Sequence, residues 1–114
     1  MSSWRAQGMR TWILQRLTAL YLLGYLVVFT IYLTGLPDAD FTDWRARFSE
    51  PMANIATLLF FYSLLFHAWV GVRDILIDYV HLSSLRLALW AVISLALIVM
   101  AIWVTMILFS VVSL

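Results

Sequence analysis

Cysteine is absent from the 114 residues, so the chain offers no disulfide, no thiolate zinc site and no ligands for an iron–sulfur cluster. Lysine is absent too: all seven basic residues are arginine. Charge of either sign is scarce, at 11% of the sequence against 65% apolar residues. A soluble domain of this length carries about a quarter of its residues charged, so lipid is expected to solvate most of this surface. The length accommodates one small domain, residues 1–114, and leaves no room for a soluble catalytic domain beside it. A formal net charge of +1 supplies no electrostatic footprint for nucleic acid, and none is expected as a partner. No internal repeat or low-complexity segment is evident.

What is present is three long apolar blocks, at about residues 17–36, about 55–72 and from about 87 to the C-terminus. Each is near the roughly 17–25 residues that a helix needs to cross a bilayer. The blocks lack the alternation of a barrel strand, and a helix satisfies its own backbone in lipid. The expected fold is therefore all-α: an integral membrane protein of three transmembrane helices, with spans at about residues 14–36, 52–77 and 84–112. The first block is too long for a cleaved signal peptide and has no small-x-small cleavage site before Pro37.

Orientation follows from the arginines. Arg5, Arg10 and Arg16 precede the first span and Arg73 and Arg86 flank the second loop, whereas the first loop, about Pro37 to Pro51, carries only Arg45 and Arg47. The positive-inside rule then puts the N-terminus and second loop in the cytoplasm. Trp4, Trp12, Trp44, Tyr79 and Trp90 fall near span ends, where aromatic side chains anchor at the interface.

His67 is the one ionisable residue inside the second apolar block. Such a side chain is costly in lipid and usually faces protein, cofactor or a wet cavity. It can be a neutral imidazole bonded to a neighbouring helix, or an axial ligand to haem iron. With a single His inside a span, a bis-His haem needs its second ligand from another chain. Gly71 follows one turn later and leaves room for a flat macrocycle or for ordinary helix packing, and Ser63, one turn earlier, can accept the other ring N–H. Eleven residues on from His67, after three turns and roughly 16 Å, Asp78 returns to within ~20° of the same direction. Asp74 approximately shares this face. Asp74 and Asp78 can equally be solvated carboxylates, and Tyr79 an interface anchor.

The segment His67-Ala68-Trp69-Val70-Gly71, followed by Asp78-Tyr79-Val80, resembles the signature of the smaller hydrophobic anchor subunit of bacterial succinate dehydrogenase. The stretch Ile13-Leu14-Gln15-Arg16-Leu17-Thr18-Ala19 is similar to the start of that family's first helix, where Arg precedes a Thr-Ala pair. Length, three spans and motif order extend the resemblance over nearly the whole chain.

The resemblance implies that His67 ligates the iron of a b-type haem shared with a larger cytochrome b-type anchor subunit, which gives the second His. It implies that Arg16 lies near the haem propionates, that Tyr79 hydrogen-bonds a ubiquinone carbonyl, and that Asp78 stands beside that site and pairs with an arginine of the larger anchor. A flavoprotein subunit oxidising succinate and an iron–sulfur subunit relaying electrons complete the enzyme, in the bacterial inner membrane, within the respiratory chain and tricarboxylic acid cycle. This chain is then a subunit of an enzyme, not a catalyst alone. A haem b anchor of another respiratory complex such as fumarate reductase, or a non-enzymatic small membrane assembly protein, are the alternatives.

Overall fold

The computed structural model describes residues 2–36 and 38–113, with side chains from Gly8 onward. Pro37 and the side chains of Trp4 and Arg5, used above, lie outside the described residues. The chain is helical throughout: α1 (Ser2–Thr34), α2 (Phe41–Ser49), α3 (Pro51–Tyr79) and α4 (Ser83–Val111). Three helical stretches, Gly8–Thr34, Pro51–Tyr79 and Ser83–Val111, are long and apolar enough to cross a membrane. The protein is thus an all-α, multi-pass membrane protein. At 1.5 Å per residue α3 and α4 are each ~44 Å long, more than the ~30 Å hydrocarbon layer, so their ends reach the headgroups or the helices tilt.

Local chemistry sets the helix ends. At the end of α1, Gly35 N–H donates to Tyr32 O at 3.2 Å and Leu36 N–H to Leu33 O at 3.1 Å. The first loop holds a helix that hydrophobicity alone does not reveal. Asp40 caps α2 in a reciprocal box with Asp43: Asp43 N–H donates to Asp40 Oδ1 at 2.9 Å and Asp40 N–H to Asp43 Oδ2 at 3.1 Å. Glu50 then caps α3, accepting from Ala53 N–H at 3.2 Å, with Pro51 in the first turn where its missing N–H costs nothing. The second connection is only residues 80–82, shorter than the loop of about residues 73–86 read from the sequence, because α3 continues through Tyr79.

α3 is the spine. It packs on α1 along one side and on α4 along another, while α1 and α4 make no close backbone approach among the described residues. The result is an open array with little interior of its own. Among the described residues only Asn54, Thr57, Val70, Leu76 and Leu108 are buried, and Val70, at 3% exposure, is the most enclosed. Water-style hydrophobic burial cannot hold such a structure in lipid, so packing and interhelical hydrogen bonds must.

Those bonds form two seams. Between α1 and α3, Tyr21 donates to Ala56 O at 2.7 Å and Tyr25 bonds Thr57 Oγ1 at 2.8 Å, with the Tyr25 ring stacked 4.4 Å from that of Phe60. Between α3 and α4, Trp69 Nε1–H donates to Ser94 Oγ at 2.9 Å, its ring 4.7 Å from that of Trp90, and the Tyr62 and Thr105 hydroxyls bond each other. Asn54 ties three elements together. Its buried amide donates to Phe48 O at the end of α2 and to Leu108 O in α4, both at 2.9 Å. Opposite it, the α2 ring of Trp44 lies 6.1 Å from Phe29 of α1, and Arg47 sits over Tyr32 at 4.4 Å.

Candidate functional site

The site starts from one histidine and the polar face of α1 that meets it. Gln15 and Thr18 are three residues apart, so they project from the same side of α1, toward α3. Thr18 Oγ1 lies 3.0 Å from His67 Nδ1. The same oxygen lies 2.9 Å from Leu14 O and 3.0 Å from Gln15 O. Carbonyl oxygens only accept, and the hydroxyl has one proton. Given to either carbonyl, that proton leaves the hydroxyl oxygen as an acceptor for Nδ1–H; given to Nδ1, it makes the ring the acceptor. A neutral imidazole that carries its proton on Nδ1 has a lone pair on Nε2. Among the described residues nothing hydrogen-bonds Nε2.

Gln15 completes the contact by donating from Nε2 to His67 O at 3.3 Å, while its Oε1 is enclosed without a donor. The Gly71 position also looks onto Gln15: a Cβ there would stand 3.9 Å from Gln15 Nε2, an ordinary contact. In this chain, then, the neighbour at Gly71 is the α1 amide, where the sequence allowed either a macrocycle or helix packing. Ser63, the residue expected to orient the ring, is not the partner of Nδ1, because Thr18 holds that position from the neighbouring helix.

Arg16 points elsewhere from its neighbours Gln15 and Thr18. It is exposed, with its guanidinium over the Trp12 ring at 5.3 Å from the centroid. Stacking on Trp12 turns the charge back along α1, one turn toward its N-terminal end. Asp78 and Tyr79 are the last residues of α3 and continue its helix without a break from His67. Both are exposed, Tyr79 at 77%. Neither touches His67, and the rise along the axis between His67 and Asp78 is ~16 Å. The chain alone therefore assembles the surroundings of His67 and leaves Asp78 and Tyr79 on open surface. Asp74, on the same polar face, lies 3.5 Å from the Arg73 guanidinium.

The donor set limits the chemistry. Among the described residues no group of three or more His, Cys, Asp or Glu side chains could hold a metal ion. A metal held through His67 Nε2 would have to bring further ligands with it, as a macrocycle does. The half-buried ring, with a hydroxyl of the neighbouring helix at Nδ1, fits that demand.

Thr18 and Gln15 carry the geometry at His67, yet only their place in a family-like stretch marked them in the sequence. The readable signal is two polar residues at helical spacing on an otherwise apolar segment. Asn54 offers a similar signal, as an amide at the very start of the second apolar block.

Comparison with known proteins gives the family. The family described as succinate dehydrogenase/fumarate reductase transmembrane subunit matches residues 1–112. A Coxiella burnetii protein described as succinate dehydrogenase hydrophobic membrane anchor subunit is 36% identical over 97 residues, covering 85% of this chain and 84% of that protein.

Proposed function

The chain belongs to the succinate dehydrogenase/fumarate reductase transmembrane subunit family, and from that premise we propose that it supplies one axial ligand of a b-type haem, His67, and one side of a ubiquinone-reducing site, Asp78 and Tyr79. As a succinate dehydrogenase membrane anchor it works within a complex with that enzyme's other subunits. The partners we assign are a larger cytochrome b-type anchor giving the second His, an iron–sulfur subunit and a flavoprotein subunit.

One observation carries the haem reading: the Thr18 hydroxyl lies 3.0 Å from His67 Nδ1, and with its proton given to the Leu14 or Gln15 carbonyl it accepts from Nδ1–H and leaves Nε2 as a lone pair. The bond fixes the ring plane. The haem, when bound, supplies a one-electron relay. Arg16, held over Trp12, provides a positive charge toward the propionate end.

At the end of α3, the Tyr79 hydroxyl donates to a carbonyl oxygen of ubiquinone as the substrate gains electrons. Its contribution grows as negative charge builds on that oxygen. Asp78 holds a partner arginine and lies on the route by which protons reach the reduced quinone from water. The substrate's apolar tail enters from lipid between helices, which an open array permits. Electrons come from other subunits, since a chain without cysteine has no cluster ligands.

The test is the reduced-minus-oxidised visible spectrum of the purified complex, with electron paramagnetic resonance of the oxidised form. A low-spin, bis-imidazole b-type signal is expected. A complex without haem, active toward succinate and quinone, overturns the haem assignment.

We further assign residues 1–114 to one anchor domain in the bacterial inner membrane, with the N-terminus and the α3–α4 connection cytoplasmic. The arginine distribution supports this orientation. Reporter fusions after Asp43 and after His81 are expected to score on opposite faces, the first periplasmic. The same face for both rejects it.

A further inference from the structure

The α3–α4 end of the molecule carries a basic cleft that the haem and quinone sites do not use. Arg73 lies six residues before the end of α3 and Arg86 three residues after the start of α4. Both backbone positions are thus within ~9 Å of a helix end, a depth from which arginine reaches the headgroup layer. The two arginines line one cleft of about 390 Å³, together with Ser83 and the apolar side chains of Ile77, Leu87 and Trp90.

The cleft has more donors than acceptors. Arg73 meets only Asp74, at 3.5 Å, a pair half-exposed on both sides. The Nε of Arg73 is enclosed with no acceptor at all. Arg86 has no acidic partner among the described residues. No side chain caps the first turn of α4, beside Ser83. An anion with several oxygens would complete these donors, and a guanidinium fork matches a phosphate bidentately.

We propose that this cleft binds the phosphate of an anionic membrane phospholipid, with its acyl chains lying over Ile77, Leu87 and Trp90. The walls select a lipid over soluble phosphate. Leu87 is 69% exposed and Ile77 54%, so apolar surface adjoins the charged pair directly. A free ion gains nothing from that surface, whereas an acyl chain covers it. The position also separates the cleft from the cofactor side. It lies on the α3–α4 seam, across α3 from the α1 face that holds His67.

The experiment uses the complete complex, as wild type, R73Q/R86Q and R73K/R86K. Retained phospholipid is counted by native mass spectrometry. The delipidated complex is then titrated with phosphatidylglycerol, phosphatidylcholine and inorganic phosphate. Wild type is expected to keep one phosphatidylglycerol that R73Q/R86Q loses. Affinity should fall about fivefold for each arginine removed, while the lysine variant, which keeps the charge, stays closer to wild type. Equal retention by wild type and R73Q/R86Q overturns the proposal. Competition by millimolar inorganic phosphate, without preference for the lipid, overturns the lipid assignment in favour of a soluble anion. Loss of the soluble subunits from R73Q/R86Q with unchanged phosphatidylglycerol binding reassigns the cleft to a protein contact. Where R73Q/R86Q does not assemble, wild type decides: phosphatidylglycerol must exceed phosphatidylcholine by at least about fivefold, and equal binding overturns the proposal.

Discussion

Replacing His67 with alanine is expected to abolish the low-spin bis-imidazole spectrum of the complex. Either the haem is lost or its iron takes a weaker sixth ligand. No other side chain of the apolar second block can substitute, since its neighbours one turn away are Ser63 and Gly71. Redox potential and paramagnetic resonance are the decisive readings, because electrons can pass from an iron–sulfur cluster to quinone without visiting the haem. An unaltered spectrum and potential in His67→Ala would falsify the ligand assignment. Thr18→Val refines the test. Valine keeps the shape and removes the hydroxyl at Nδ1, so the ligand stays but loses its orientation. Loss of such a partner typically weakens metal retention about ten- to a hundredfold. Thr18→Ser restores the hydroxyl and should restore retention. Haem retention that is the same in Thr18→Val as in wild type, at unchanged potential, shows that the hydroxyl does not orient the ligand.

Tyr79→Phe is expected to slow succinate–ubiquinone turnover by roughly ten- to a hundredfold, equivalent to ~1.5–3 kcal/mol for a hydrogen bond to a group gaining charge. The phenyl ring remains, so interface anchoring, assembly and haem content should survive. The control is succinate oxidation by an artificial acceptor that bypasses quinone, which should hold its rate. Unchanged turnover and unchanged quinone affinity return Tyr79 to a simple interface anchor, the reading its 77% exposure would otherwise support. A parallel fall in both rates, with haem lost as well, points to assembly and counts against a specific role for the hydroxyl. Asp78→Asn should be milder than Tyr79→Phe if the amide still holds the partner arginine, and worse if the negative charge is required.

The number and order of crossing helices were legible because lipid imposes a simple demand: each span must be long, apolar and self-bonded. Helix α2 was not legible, since a short helix of mixed composition reads as loop unless the Asp40–Asp43 box is noticed. His67 stood out because ionisable residues are rare in spans. Its partner did not, because Thr18 is forty-nine positions earlier in sequence and reaches the ring only when α1 packs on α3. A local reading naturally turned to Ser63 on the same helix. Asp78, on the face of His67, and Tyr79, about 100° round from Asp78, end the unbroken helix α3, but a single chain gives them no enclosing walls. If the site is shared among subunits, as proposed, half of its chemistry lies in other sequences.

The separation of α1 from α4 by α3 bears on how this subunit can change over time. The α1–α3 seam holds the imidazole and its hydroxyl partner; the α3–α4 seam holds the indole of Trp69, the stacked Trp90 and the basic cleft. Apart from α3 itself, only the α2 corner bridges the outer helices. Alterations far apart with no shared partners act nearly additively. The outer helix α4 is therefore free to be retuned to a thicker, stiffer or colder bilayer without disturbing the imidazole and its hydroxyl partner. An anchor built in this way can follow its host's membrane composition while the surroundings of His67 stay put.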